Sequence, residues 1–339
     1  MRLFAPILSL LLCLMAVDDV YASHAAVSGL GLGRSGPIIT TPAVPLPVGS
    51  FFADIRWDRT EFSRFTDSQL TGFAQKEREV DSTDSLLALS IGLAYGATKD
   101  LTVGFRMPYV WQHDIREGEH EDGEGALKRE GDSADFGDLT LYGMYRFIEN
   151  KNRDFHFAGL FGLKFPTGRT TERTNLGGRF EQEHQPGSGS WDPMAGLAFT
   201  KHWGRLSLDT NVLYTFATNG SQRTNLGDRF DYNLALSYRL TKERHVHDHE
   251  HDLDHNAHLH IDWDLVMELN GLWNQKLEIR DRDDDDSGET LLFLSPGVRM
   301  LVNNRLSFTA AFLFPIQEDT NGLEHETDYR VIWGVGVGF

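Results

Sequence analysis

A histidine-rich stretch, HVHDHEHDLDHNAHLH at residues 245–260, holds seven of the chain's fourteen histidines. The first four alternate with other residues, so an extended backbone presents their imidazoles on one face. Imidazole is the usual ligand for Zn²⁺, Cu²⁺ and Ni²⁺, and the carboxylates between the rings can bind or orient. The pattern predicts a transition-metal site at His245, His247, His249, His251, His255, His258 and His260. The alternative is a solvated, disordered polar linker.

The N-terminus indicates the compartment in which such a site would work. Arg2 precedes an apolar run, and small residues follow at the expected cleavage positions before Ser23. This is typical of a secretory signal peptide over residues 1–22. The single cysteine, Cys13, lies inside it, so the exported chain is expected to have no disulfide or cysteine metal site. A net charge of −18 makes a nucleic-acid partner unfavourable.

After the signal, the hydrophobicity of the chain alternates with a period of two. In DYRVIWGVGVGF, the last twelve residues, apolar side chains fall on one face and charges or glycines on the other, with Ile332 the exception. Such alternation predicts strands with one apolar face. Twelve such segments, each about ten residues long, begin near residues 50, 84, 100, 136, 154, 190, 204, 227, 261, 290, 305 and 328.

The connections between these segments alternate in length. Short turns such as TKD, ENKNR, HWGR and NNR alternate with long loops at 63–83, 113–135, 167–189, 219–226, 275–289 and 318–327. An even number of strands with short turns at one end and long loops at the other predicts an all-β, antiparallel, up-and-down transmembrane barrel over residues 50–339. A soluble β-sandwich or lipocalin-like barrel is the alternative. We therefore expect a bacterial outer-membrane location, with membrane lipid and lipopolysaccharide as partners.

Several sequence segments add a resemblance to a known family. GPIITTPAVPLPVGS, DLTVGFRMPYV, FGDLTLYGMYRF and FPTG…HQPGSGSWDP together resemble the outer-membrane transporter family named after the meta-pathway of phenol degradation. The terminal Phe339 resembles the signal by which such barrels engage the barrel assembly machinery. The resemblance covers nearly all of the exported chain and implies a pore or transporter. It assigns no binding or catalytic residue.

Counting strands back from Phe339, expected at the periplasmic end, places residues 241–260 on the periplasmic side. This connection is much longer than the other turns at that end. Residues 23–49 are rich in glycine and proline and lack the strand pattern. We expect a periplasmic segment or one that rests in the lumen, and the sequence does not decide whether it plugs the pore.

A twelve-stranded barrel should enclose a narrow lumen. The predicted function is passage of small solutes, with the histidine loop binding metal ions and no cofactor required. The alternatives are uptake of small hydrophobic or aromatic compounds, or a non-conducting metal-binding or structural barrel. No enzyme is expected, because no histidine adjoins a nucleophile motif. The predicted pore-lining charges are Asp54, Arg56, Arg106, Asp138, Arg146, Asp209, Asp231, Arg239, Asp262, Asp264, Glu268, Arg299 and Arg330.

Two further motifs lie in the predicted outer loops. RTNLGGRF at 173–180 recurs as RTNLGDRF at 223–230, either as a duplicated hairpin or as paired elements at the pore mouth. DRDDDDSGE at 281–289 has Asp286 at the sixth position, where a calcium loop needs glycine, and no glutamate falls at the twelfth position, so we expect an acidic external loop.

Overall fold

The computed structural model describes residues 36–121, 123–241, 259–285, 287–321 and 326–339. It contains one α-helix, sixteen strands and a 3₁₀ turn at Ser221–Arg223. The helix is α1 (Asp67–Ala74). The strands are β1 (Phe51–Phe62), β2 (Val80–Ser82), β3 (Ser85–Gly96), β4 (Leu101–Glu121), β5 (Glu124–Phe136), β6 (Thr140–Asn150), β7 (Phe155–Lys164), β8 (Asp192–Trp203), β9 (Leu206–Thr215), β10 (Thr224–Asn225), β11 (Arg229–Arg239), β12 (Ile261–Asn274), β13 (Glu278–Ile279), β14 (Glu289–Val302), β15 (Leu306–Thr320) and β16 (Thr327–Gly338).

Twelve of these strands form a closed antiparallel barrel. Their order is β1, β3, β4, β6, β7, β8, β9, β11, β12, β14, β15 and β16. The last strand returns to the first, with Trp57 opposite Trp333, so the barrel has no free edge. The predicted fold class is therefore confirmed. Among the residues described, no helix is long and apolar enough to span a membrane.

The barrel is apolar outside and polar inside. Trp333, Val335 and Phe339 point outward and are 37%, 37% and 67% exposed, whereas Arg299 on the inner face is 2% exposed. This placement is the reverse of that in a soluble protein, whose apolar residues face the core. It suits a protein surrounded by lipid, because lipid solvates the apolar outer face and the backbone N–H and C=O groups of every strand pair with neighbouring strands. Exposed aromatics mark both barrel ends, including Trp191 and Trp203. Trp333 lies mid-strand and stacks on Trp57 with ring centroids 6.1 Å apart.

The strands begin within four residues of the predicted positions, but two predicted loops contain regular structure. The loop 63–83 includes α1, which begins with a Thr66–Gln69 capping box, and β2. The loop 113–135 is mostly a hairpin, because β4 extends far beyond the barrel wall and pairs with β5. We call the end with these loops the long-loop end, and the end that holds Phe339 the short-turn end.

The two copies of the repeated motif lie in adjacent long loops but differ in conformation. The first copy closes on itself through an Arg173–Arg179 bridge. The second contributes β10, which pairs with β13 in the neighbouring loop. The Gln222 side chain donates to the Phe180 carbonyl at 3.0 Å, so the two loops touch at the mouth. The second copy therefore does not repeat the hairpin of the first.

Candidate functional site

Residues 36–47, which we call the lumen segment, lie inside the barrel. Near Gly36 the segment is beside Arg299, close to the short-turn end. It reaches the middle of the barrel at Ile38–Thr40, where it contacts β12, and then descends past β9 and β8. It leaves beside Thr102 at the start of β4. Both ends of the described segment thus lie towards the short-turn end.

Wall side chains bind the backbone of the lumen segment. Prolines at 37, 42, 45 and 47 have no N–H group to satisfy. Of the remaining N–H groups, Thr41 donates to Asn211 Oδ1 at 2.8 Å, Ala43 to Thr200 Oγ1 at 2.8 Å, and Leu46 to Thr102 Oγ1 at 2.9 Å. An extended chain without strand partners needs such acceptors, because a buried unpaired N–H is costly. The polar lumen wall therefore fixes the path of the segment.

Glu268 is the strongest anchor of the segment. Its carboxylate accepts the N–H groups of Ile38 at 2.6 Å, Ile39 at 3.0 Å and Thr40 at 2.8 Å. The Thr40 hydroxyl also donates to it, at 2.6 Å. Successive N–H groups that converge on one anion form a concave anion site. Glu268 was predicted to line the pore, but in this state the segment shields it, with 1% of the residue exposed.

An apolar patch on the inner wall receives the two isoleucines of the segment. Ile38 and Ile39 pack in one cluster with residues of four adjacent strands, all on the inner face. The wall members of the cluster are Val266, Leu272, Leu291, Phe293, Ala311, Leu313 and Ile332. This contact explains Ile332, the one residue of the last strand that broke the alternation. Burial of each isoleucine contributes about 1.5–3 kcal/mol.

One charged network runs along β1 on the inner face. Arg106 donates to both oxygens of Asp54, at 3.1 and 3.0 Å. Arg330 binds Asp58 in a bidentate pair with both bonds at 2.6 Å, and Arg56 lies 3.5 Å from the same carboxylate. Bidentate arginine–carboxylate pairs are strong and directional. The barrel therefore brings together four of the predicted charges and adds Asp58, which sequence reasoning missed.

A second network joins three strands near the short-turn end. Asp264 accepts Arg239 Nε at 2.9 Å and Arg299 Nε at 3.0 Å. Asp262 lies 3.8 Å from Arg239 and completes the group. All four were predicted from the alternation. Their pairing follows from the register of β11, β12 and β14, in which Asp264 stands opposite both arginines.

The remaining predicted charges lie elsewhere on the inner face or its rim. Asp138 binds backbone and hydroxyl groups of the 165–191 loop, Asp209 accepts Thr200 Oγ1 at 2.6 Å, and Arg146 pairs with Asp100 at 2.8 Å in a short turn. Asp231 pairs with its strand neighbour Arg229. Sequence reasoning also missed Arg229, Lys164 and Asp192. The last two form an ion pair of 2.5 Å. The alternation of inward and outward residues along each strand could have identified them, since Arg229 is two residues from the inward-facing Asp231.

Most of the predicted histidine site lies outside the described residues, namely His245, His247, His249, His251, His255 and His258. His260 is described. Its side chain is half exposed, and its Nε2 lies 3.1 Å from Asp262 Oδ2. The backbone N–H of His260 donates to the side-chain oxygen of Asn303. This places the end of the histidine stretch at the short-turn mouth.

Carboxyl side chains, most of them partly buried, crowd the long-loop end, beyond the aromatic residues that mark the edge of the membrane. Burial, aided by the charges of Asp81 and Glu130, raises the pKa of Glu117 to about 7. Burial also raises the pKa of Glu130 and Glu181, and that of Glu183 strongly.

His184 lies within this carboxyl cluster. Its Nε2 lies 3.0 Å from Asp81 Oδ2 and its Nδ1 lies 3.1 Å from Gln112 Oε1. Burial alone lowers the pKa of His184, but the hydrogen bond and charge of Asp81, with the charge of Glu183, raise it to about 9. Burial thus favours the protonated form of Glu183, and the neighbouring carboxylates favour the charged form of His184.

Two cavities border the lumen segment. One of about 40 Å³ lies between Ile38, Arg299 and the β1–β16 wall. The other, about 50 Å³, lies between Ile39, Thr41 and the charges Arg229, Asp231 and Arg330. Cavities of this size hold a few water molecules. Neither has room for an organic solute while the segment is in place.

Comparisons with known proteins agree with this architecture. An outer membrane channel from Pseudomonas putida F1 superposes with a TM-score of 0.52 at 15% identity, covering 88% of this chain and 98% of that one. The beta domain of the Bordetella autotransporter BrkA gives a TM-score of 0.43 at 9% identity, covering 86% and 100%. The likeness to the Pseudomonas channel supports the fold. No curated protein sequence matches the chain.

The sequence comparison identifies the family. The model of the family described as "Putative MetA-pathway of phenol degradation" matches residues 60–326, which include ten of the twelve barrel strands in whole. The resemblance inferred from the sequence segments is therefore confirmed, and the chain belongs to this family.

Proposed function

We propose that the protein is an outer-membrane channel for small polar solutes, and that it conducts when the lumen segment is displaced. The observation that carries the proposal is the lumen itself: a closed barrel with a charged inner face, filled at mid-height by a segment that the wall holds through side chains. Both ends of the segment lie at the short-turn mouth, so it can withdraw without threading.

The charge of the wall suggests the preferred solute. Among the inner-face residues named above, carboxylates outnumber basic side chains. A pore lined in this way concentrates cations. We therefore propose a mild preference for cations over anions. No catalytic step is part of this function.

The structure allows a direct test of the segment as the gate. Ala43 N lies 2.8 Å from Thr200 Oγ1. Adding the bonded distances on each side gives a Cα separation of at most about 6.7 Å, which is within the range for a disulfide. The exported chain is expected to lack cysteine, so Ala43→Cys with Thr200→Cys would place the only two thiols in it.

Single-channel recording in planar bilayers should show discrete conductance steps for the reduced double variant and few for the oxidised one. Addition of a reductant should restore conduction. The Ala43→Cys single variant is the matched control and should ignore the redox state. Equal conduction by oxidised and reduced protein would remove the segment as a gate, whereas absence of conduction in every inserted sample, wild type included, would contradict a channel.

Uptake of a small aromatic compound is the second candidate. The observation that favours it is the apolar wall patch around Phe293, Leu313 and Ile332, which becomes available when Ile38 and Ile39 leave. Proteoliposome uptake of labelled phenol against labelled glycine separates the two. Faster entry of phenol than its passive leak, with no entry of glycine, would favour the aromatic pore.

We further propose that the histidine stretch captures Zn²⁺, Cu²⁺ or Ni²⁺ on the periplasmic side. The spacing of its imidazoles and the position of His260 beside Asp262 at the short-turn mouth support this. The location follows from export by the proposed signal peptide. Its test is given with the predictions below.

A further inference from the structure

A second group of metal-ligating side chains lies at the short-turn end of the lumen, apart from the histidine stretch. It consists of Asp154, His156 and His202. His156 Nε2 lies 3.6 Å and His202 Nδ1 lies 3.7 Å from the same oxygen, Asp154 Oδ1. The three ligand atoms all lie within 4.8 Å of one another.

The backbone places these three side chains. His156 and His202 are on adjacent strands, β7 and β8, and the register sets His156 opposite Thr200, so the two histidines are diagonal neighbours on the inner face. Asp154 ends the short turn with a φ of +48°, and its backbone carbonyl accepts a hydrogen bond from the backbone N–H of His202 at 3.0 Å. Aspartate is among the few residues that tolerate this conformation. The turn thus directs the carboxylate towards both rings.

The spacing fits a tetrahedral transition-metal ion. Metal–ligand distances of about 2.0–2.2 Å at tetrahedral angles put ligand atoms about 3.3–3.5 Å apart. The two carboxylate–imidazole separations exceed this by only a few tenths of an ångström, and rotation of one ring can close the gap between the imidazoles. Two neutral imidazoles and one carboxylate are a ligand set of Zn²⁺ and related ions, and they leave a fourth position for water.

We propose that Asp154, His156 and His202 bind one divalent transition-metal ion of the Zn²⁺ class at the short-turn mouth of the lumen. Both imidazoles are almost fully buried, with side-chain exposures of 8% and 5%, whereas Asp154 is 38% exposed. The ion therefore reaches the site from the mouth, past the carboxylate. His260 lies at the same end of the lumen, beside Asp262.

The proposed ion site lies next to Thr200, a wall residue that binds the backbone of the lumen segment. Thr200, the residue opposite His156, accepts the Ala43 N–H and donates to Asp209. His156, one of the proposed ligands, is therefore the cross-strand neighbour of a residue that holds the segment. The proposed metal site does not depend on whether the barrel conducts.

The other cluster of suitable composition serves as a contrast. Asp81, Glu183 and His184 also converge, but at the long-loop end. There the raised pKa of Glu183 and of His184 keeps protons on the would-be ligands. Metal ions compete with those protons for the same atoms. That cluster should bind metal more weakly near neutral pH.

The test uses the full-length protein in detergent with the other strong ligands removed by His245→Ala, His247→Ala, His249→Ala, His251→Ala, His255→Ala, His258→Ala and His260→Ala. This background chain should retain one Zn²⁺ after dialysis, measured by elemental analysis. Co²⁺ in its place should give the intense visible absorption of tetrahedral coordination. An anomalous-scattering map of Zn²⁺-soaked crystals should place the ion between the three side chains.

In the same background, His202→Asn and His156→Asn should each weaken Zn²⁺ binding by at least about tenfold. His113→Asn, at a histidine that pairs with only one carboxylate (Asp132 Oδ2, 3.3 Å), is the matched control and should have no effect. Heat-modifiable gel mobility checks that each variant folds, and the anomalous map needs no site variant. Loss of Zn²⁺ on His184→Asn alone, or no bound ion in the background chain, would overturn the proposal.

Discussion

Replacement of Glu268 by glutamine should release the lumen segment while leaving the barrel intact. The carboxylate accepts four hydrogen bonds from Ile38, Ile39 and Thr40 at 2.6–3.0 Å. A carboxamide keeps one acceptor oxygen and turns an N–H₂ donor towards other donors, so about two of the four bonds are lost. Each bond to a charged acceptor contributes about 1.5–3 kcal/mol. The cost to the bound state is therefore about 3–6 kcal/mol.

That cost is large compared with the other free-energy contributions that hold the segment in the lumen. Ile38 and Ile39 together contribute about 3–6 kcal/mol by burial, and ordering each backbone residue costs about 1–2 kcal/mol. The displaced segment meets water, which satisfies its N–H groups. A loss of about 3 kcal/mol raises the displaced population roughly a hundredfold, since each 1.4 kcal/mol is a factor of ten. The Glu268→Gln variant should therefore open far more often than the wild type.

Glu289 provides the matched control. It is also a fully buried glutamate on the inner face, but it accepts from the Asn274 side chain at 3.0 Å rather than from the segment. Planar-bilayer recording should show a higher open probability for Glu268→Gln than for Glu289→Gln. Hydrogen exchange at residues 38–43 should lose protection in the first variant only. If both variants conduct and exchange as the wild type does, Glu268 does not hold the segment and the reasoning is refuted.

Three further outcomes are expected. Leu197→Arg, on the outer face midway along β8, should destabilise the barrel by about 2–4 kcal/mol in bilayers, whereas Leu176→Arg in a long loop should not; equal stability by urea titration in liposomes would contradict a lipid-facing Leu197. Deletion of 245–260 should remove the ions bound by the histidine stretch, measured by calorimetry, and leave at most the one proposed at Asp154, His156 and His202, yet keep heat-modifiable mobility; an unchanged number of bound ions would leave the stretch a polar linker. The stability of the long-loop end should fall as pH rises. Burial raises the pKa of Glu117 to about 7, so the stability that its protonated carboxyl contributes falls between about pH 4.5 and 7, and the stability from the His184 charge falls as pH rises towards about 9. Hydrogen exchange of β5, corrected for its intrinsic pH dependence, should show this loosening, and Glu117→Gln should flatten its lower half; a loop that tightens with pH would refute it.

The barrel strands could be predicted because each one faces two different solvents. Lipid outside and a polar lumen inside impose period two on every strand, so the alternation alone gives twelve segments and their inward charges. The 113–135 region extends beyond the barrel wall and packs partly against α1, so its two sides do not face lipid and a polar lumen. No hydrophobic period marks a strand there, and the β4–β5 hairpin was expected to be a loop.

The position of the lumen segment could not be predicted from local sequence. Glycine and proline rule out a strand over 23–49, but the position of residues 36–47 depends on Glu268, which lies 228–230 residues away along the chain. One signal was present: Val266, Phe293, Leu313 and Ile332 are apolar at inward positions of four adjacent strands. Such a patch inside a polar lumen predicts an apolar occupant, once the strand order is known.

The sequence by itself determined the strand count, which face of each strand meets lipid, and the residue types that fill the lumen, because these follow from side-chain period along one strand. Only the closed barrel decided which charges pair, because pairing needs the register between strands. It alone brings Asp264 between Arg239 and Arg299, and Asp154 beside His156 and His202. These partners lie too far apart along the chain, or on different strands, for any spacing rule to join them.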